Sequence, residues 1–299
     1  MPSDPRVLVP QPASTVLVLR DSPAGPEVFM VRRHEGTAFM AGAHVFPGGR
    51  VDAGDRETAD EAWCDGVEYA ASQLADMPAA DAMAYHVAAA RELFEEAGVL
   101  LARDARGSFV SLADADSHAR FKQYRGEVHA GSLTLRAVLE REALRLALDT
   151  LVHFSHWVTP PVDTRRFDTR FFITRVPPHQ TPAHDDTETT HSSWLTASDA
   201  IASAVAGDII LPPPTWTTIR EIEPFATVDE ALAWARGRRV VRREPKALER
   251  NGVRMLLLPG DPLHPQPAGD EPTSETRFVL VDRRWRAEAP DATDARDHR

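Results

Sequence analysis

Arg91-Glu92-Leu93-Phe94-Glu95-Glu96-Ala97-Gly98-Val99 places three carboxylates and a guanidinium along one short stretch of predicted helix. Glu92, Glu95 and Glu96 are spaced i,i+3 and i,i+4, so they project from one face. Like charges at that spacing repel, and a cation would offset the cost. A donor set made only of oxygen suits a hard divalent ion such as Mg²⁺ or Mn²⁺. Leu93, Phe94 and Ala97 can anchor the other faces in a core, and Gly98 supplies a left-handed helix end. Taken alone, such a string also suits a solvated acidic helix end. The stretch that separates the two readings lies upstream.

That stretch is Phe46-Pro47-Gly48-Gly49-Arg50-Val51-Asp52-Ala53-Gly54-Asp55. Its glycines let a backbone turn sharply with positive φ and approach a phosphate closely. Together the two stretches resemble the box of the Nudix hydrolases, Gly-x5-Glu-x7-Arg-Glu-apolar-x-Glu-Glu-x-Gly-apolar. Gly49 and Asp55 fit the first half, with Asp in place of Glu, and Arg91 to Val99 fits every specified position of the second. Residues 56–90 stand where the motif has seven, so the box carries an insertion at about 56–80. An expanded box with His44-Val45-Phe46-Pro47-Gly48-Gly49 before it is similar to the branch that cleaves coenzyme A and its acyl esters. Gly42 to Gly49 matches the end of a coenzyme A signature found in that family, although Ala38 stands where the signature has Arg.

The resemblance implies a divalent-metal-dependent diphosphatase. It implies that Glu92, Glu95 and Glu96 are metal ligands, one of them also orienting or deprotonating the attacking water. Arg91 would hold those carboxylates and bridge to the loop acid, for which Asp55 is the candidate. A backbone carbonyl at Gly48 would add a ligand, and Glu188 in HDDTETTHSSW a further acid, with Asp185 and Asp186 as alternatives. Arg33, Phe46, Gly49 and Arg170 are the candidate substrate contacts. The expected substrate is a nucleotide-type small molecule, first coenzyme A or acyl-coenzyme A, giving 3′,5′-ADP and a phosphopantetheine product. ADP-ribose or a dinucleotide is the alternative, and a non-catalytic Nudix-fold binder the alternative of another class. Three repelling carboxylates speak against the binder.

Bulk properties narrow the partners. The net charge of −11 argues against a nucleic-acid polymer, which needs a basic surface. A lone cysteine, Cys64, excludes an intrachain disulfide and points to a reduced, cytoplasmic setting with an inert thiol. No apolar run is long enough for a membrane span, and neither a signal peptide nor a Ser-Lys-Leu address is visible. A homodimer is compatible with the sequence.

The elements that must carry these residues read as an α/β Nudix fold, an α/β/α sandwich around a mixed sheet. Residues 1–12 are a loose terminus and 13–236 the Nudix domain; 237–286 form a small C-terminal β appendage and 287–299 a polar, disordered tail. Strands are expected at Ser14–Arg20, Val28–Arg33, Leu151–Thr159, Thr169–Val176 and Ser193–Leu195. Helices are expected at 67–75, from about 79 to Ala97, at 113–124 and 133–146, from the Thr196 or Ser198 cap to Ala206, at 215–222, and from the Thr227 cap to Arg236. The appendage is expected to use VVRRE, VRMLLLPGD and TRFVLVDRRW as strands. The insertion reads as a bulge, and residues 57–78 are expected to tolerate shortening without loss of metal binding.

Overall fold

The strand Gln11–Ser22 sets the architecture, because its side chains are apolar on both faces. Val16 and Val18 point into one core and Leu17 and Leu19 into a second, all fully buried. A strand buried on both sides must lie inside a sheet covered on both faces. The computed structural model, which describes residues 8–36, 40–185, 189–267, 275–282 and 284–290, shows that arrangement. The strands run Thr189–Thr196, Gly25–Arg33, Gln11–Ser22, Phe167–Arg175, Val152–Val158 and Arg242–Arg243, with His44–Val45 paired to Gly25–Arg33 and Gly48–Arg50 to Gln11–Ser22. Gln11–Ser22 and Phe167–Arg175 are parallel whereas Gln11–Ser22 and Gly25–Arg33 are antiparallel, so the sheet is mixed.

The first core lies under the helices Ala79–Ala97, Val67–Gln73, Ala115–His129 and Leu135–Glu142. The second lies under Ala197–Ala206, Pro213–Arg220 and Val228–Gly237. Helix starts follow local chemistry. Thr196 caps Ala197–Ala206, and Thr227 with Glu230 forms a capping box at Val228–Gly237.

Four expectations change. Leu133–Leu146 does not run through as a helix: Ala143, at φ 51°, ends Leu135–Glu142, and Arg145–Ala147 becomes a strand. Val240 to Glu244 does not belong with the appendage, because Arg242–Arg243 pairs with Val152–Val158 at the edge of the central sheet. The appendage instead starts with Lys246–Arg250, a charged edge strand whose composition carries little strand signal, followed by Val253–Leu257, Arg277–Val281 and Arg284–Glu288. This four-stranded antiparallel sheet shares the second core. Phe278 is fully buried there and meets Trp216 edge-on at 6.3 Å. The expected tail from residue 287 begins inside Arg284–Glu288, and residues 291–299 lie outside the described residues.

The insertion is not a bulge. Cys64, Ala70 and Leu74 are buried in the first core. The Gln73 side chain accepts from the His153 N–H at 2.6 Å and donates to the Leu151 carbonyl at 2.9 Å, lacing the insertion to the central sheet. Removing residues 57–78 would therefore open the core rather than trim a surface loop.

Candidate active site

The carboxylates stand on Ala79–Ala97, which opens after Pro78 and runs through alanine-rich sequence of high helix propensity. It ends at Gly98, whose φ of 67° is the left-handed conformation that Gly adopts at low cost. Arg125, from the neighbouring helix Ala115–His129, donates Nε–H to the Glu95 carbonyl at 2.7 Å and a second N–H to the Ala183 carbonyl at 2.9 Å. A guanidinium thus satisfies one of the carbonyls that every helix end leaves open and ties the carboxylate turn to the chain ahead of Thr189–Thr196. Nothing in the sequence marks Arg125, because the contact joins two helices that are remote in the chain.

Arg91 is the centre of the cluster. It donates to both oxygens of Asp55 at 2.8 and 2.9 Å, to Glu92 at 2.8 Å, to Glu95 at 3.0 Å and to the Arg50 carbonyl at 2.8 Å. The planar guanidinium suits the paired contact with one carboxylate. Asp55 is held from its own side too. It lies in the short helix Ala53–Thr58, where Asp52 and Asp55 form a reciprocal capping box. Shortening the usual Glu to Asp therefore does not break the bridge.

Glu96 accepts from the Gly48 N–H at 3.0 Å, so the loop backbone grips the helix directly. Gly49 is tighter still: a Cβ at that position would sit 2.2 Å from the nearer Glu92 carboxylate oxygen. At Gly48 a Cβ would sit 2.4 Å from the Ser14 carbonyl oxygen. Neither residue has positive φ, so the expected reason for these glycines is replaced by another. They are needed because two pieces of chain approach too closely for a side chain.

Electrostatics supports a cation here. Burial pushes Glu92 up to about 7, against the pull of Arg91, and burial likewise raises Asp55. Asp55, Glu92 and Glu95 share the single Arg91 guanidinium, with His129 at 3.8 Å from Glu95. One such cation for three carboxylates leaves a surplus of negative charge in a partly buried place. The oxygen donors of Glu92, Glu95 and Glu96 fit a hard divalent ion in chemistry. Their geometry is not a finished cage: among the described residues no three acidic, His or Cys groups converge on one point. Glu92 and Glu95 turn to Arg91, and Glu96 to Gly48.

A family model described as the NUDT19 Nudix domain matches residues 68–222, just over half of the chain and including the whole carboxylate helix end. Human acyl-coenzyme A diphosphatase NUDT19 is 30% identical over 285 residues, covering 82% of this chain and 74% of the human protein. The chain belongs to the NUDT19-type Nudix family. The Xenopus laevis protein of the same name is 25% identical, covering 80% of this chain and 72% of that one. Among solved structures, a Nudix hydrolase from Alicyclobacillus acidocaldarius aligns with a TM-score of 0.65 and 28% identity, over 75% of this chain and 96% of that one. It is therefore a Nudix hydrolase by family and fold, and Nudix hydrolases generally use divalent metal ions. Among the described residues no helix is long and apolar enough to cross a membrane.

The remaining candidates separate. Gly48, Phe46 and Arg33 line a cavity of about 630 Å³ on the second-core side of the sheet. Arg33 makes no ion pair among the described residues, and its Nε is buried without a hydrogen-bond partner. Arg170 is not in that lining: it lies on the opposite sheet face, 2.7 Å from Asp76 and 3.6 Å from Asp168. The register explains it, since Phe171 and Thr169 alternate with Arg170 and face the cavity instead. Glu188 and Asp186 lie outside the described residues, and Asp185 bonds to Thr189.

Proposed function

We propose that this protein hydrolyses the diphosphate linkage of coenzyme A or acyl-coenzyme A, using Mg²⁺ or Mn²⁺. The observation that carries the reading is the Arg91-centred carboxylate cluster touching Gly48 and Gly49, with Gly48 also lining the large cavity. The names of the relatives supply the substrate class. Glu92, Glu95 and Glu96 would hold the metal, which neutralises phosphate charge and lowers the pKa of bound water. Arg91 holds Glu92 and Glu95 together at one nitrogen, Nη1, and locks the helix to Asp55, so the carboxylates meet the substrate already oriented. Arg33, at the cavity wall beside the loop, contributes a guanidinium suited to a phosphate.

The test is incubation of purified protein with coenzyme A, acyl-coenzyme A, ADP-ribose and dinucleotides, with and without Mg²⁺ or Mn²⁺. Products are read by mass spectrometry. Formation of 3′,5′-ADP and phosphopantetheine only with metal supports the reading. Turnover confined to ADP-ribose or a dinucleotide would redirect the substrate, and no metal-dependent turnover at all would favour a binding role.

A further inference from the structure

The cavity beside Gly48 has a second wall that the Nudix core does not supply. The hairpin Lys246–Arg250 and Val253–Leu257 of the C-terminal sheet forms it. Leu248 and Met255 are directly paired across that hairpin, so both project from one face. Both line the cavity, both are only partly buried, and neither joins either hydrophobic core. Opposite them stand Phe46 and Phe171 from the central sheet side, in edge-on contact at 6.4 Å. Met40 and Val162, two of the few large apolar side chains that stay exposed, line the same space. An apolar chamber of about 630 Å³ lies within the size range of small-molecule sites. It is continuous with the loop whose backbone touches the catalytic-type carboxylates.

We propose that this chamber binds the acyl end of the substrate's pantetheine arm, and that Leu248 and Met255 set how long an acyl chain is accepted. The proposal rests on the coenzyme A reading above and names which part of that substrate the C-terminal sheet handles. A diphosphate and a ribose are polar and gain little from a wall of Leu and Met, and the flat face of an adenine stacks on aromatic rings rather than on the Leu248–Met255 pair. A saturated acyl chain is the part of an acyl-coenzyme A that gains by leaving water for such a wall. Arg33 and Gly48 come to the lining from the Nudix loop side, and the hairpin contributes Leu248 and Met255 together with the charged Glu249 and Arg254.

The test compares kcat/KM on acetyl-, hexanoyl- and decanoyl-coenzyme A for the wild type, Met255→Trp and Leu248→Trp. For the wild type we expect an increase from acetyl to hexanoyl of up to roughly fourfold per added methylene, the gain of burying one such group. Each tryptophan fills part of the chamber, and the decanoyl-to-acetyl ratio is expected to fall toward one. A wild-type series with no dependence on chain length would overturn the subsite while leaving the diphosphatase standing, and needs no variant to be read. Unchanged chain-length ratios in both folded variants would overturn the role of the hairpin. Absence of turnover on every coenzyme A species would remove the underlying reading and the subsite with it.

Discussion

Gly49→Ala isolates the contact between loop and helix. The added Cβ would lie 2.2 Å from the nearer Glu92 oxygen, whereas ordinary contact begins at 3.4 Å, so the carboxylate must retreat by about 1.2 Å. Glu92 is a flexible side chain, and a rotamer change of that size costs roughly 0.5–1.5 kcal/mol. The fold should tolerate this, with a Tm loss of only a few degrees. Catalysis should not, because a displacement of about 1 Å in a reacting constellation costs on the order of a hundredfold in rate. Gly48→Ala is the matched control. Its Cβ would strike the Ser14 carbonyl oxygen at 2.4 Å and the Thr15 Cα at 2.8 Å, which are backbone atoms that no rotamer can move. That variant should lose stability first, by loosening Gly48–Arg50 from Gln11–Ser22. Steady-state kinetics at saturating metal and thermal unfolding of both variants give the answer. A Gly49→Ala protein with kcat near that of the wild type would refute the placement of Glu92 in the catalytic centre.

Glu95→Gln and Glu96→Gln should each reduce kcat severely while the metal-free proteins melt no lower than the wild type, since each removes charge from a repelling cluster; circular dichroism and turnover assays check both halves. Arg33→Ala should bring the kcat/KM for coenzyme A closer to that for 3′-dephospho-coenzyme A, because Arg33 lines the cavity and makes no ion pair among the described residues, whereas Arg166 is tied to Glu244, Arg170 to Asp76 and Arg32 to Glu35; an unchanged ratio would exclude Arg33 as the 3′-phosphate contact and turn attention to the exposed Arg165 or the cavity's Arg254. Glu92 binds its proton more tightly folded, at about 7, than at its ordinary 4.5, so its contribution to metal-free stability should fall as pH rises from about 4.5 through 7. Added divalent ion should flatten that decline, which melting curves across the range would reveal. Burial pushes the Cys64 thiol up to about 11, so alkylation near pH 8 should stay slow until the protein unfolds; fast labelling of folded protein would show that the insertion opens.

The parts of the site legible in sequence are those whose geometry is local. Glu92, Glu95 and Glu96 share a face because helical periodicity puts them there, and Gly98 ends the helix because its conformation is left-handed. The capping pairs Thr196–Asp199 and Thr227–Glu230 are likewise local. Arg170 shows the opposite case. Its residue type suits a phosphate, but the strand register turns it to the face away from the cavity, and Asp76, from the far end of the insertion, pairs with it. The chamber was beyond reach for the same reason: Phe46, Phe171, Leu248 and Met255 come from separate parts of the chain and meet only through tertiary packing. Lys246–Arg250 was hidden because an edge strand needs only one hydrogen-bonded neighbour, so its charged side chains did not read as strand.

The split box poses a physical question of its own: how residues 56–90 can intervene without moving Asp55 from Arg91. Making a flexible connection roughly fivefold longer costs only about 1.4 kcal/mol in closure entropy, because the cost grows with the logarithm of length. The insertion then offsets that cost from its own residues. Burying Leu74 alone contributes roughly 1.5–3 kcal/mol, and Ala70, Cys64 and the Gln73 bonds to strand Val152–Val158 and its approach add to it. The bridge itself does not depend on chain separation. Asp55 is fixed by its capping box at the start of a helix, and Arg91 by the helix it sits on, so their distance is set by how the two helices pack. An insertion that starts after Asp55 and returns before Ala79 leaves both anchors in place. It lengthens the chain between the halves of the box without entering the space between the loop and the carboxylates.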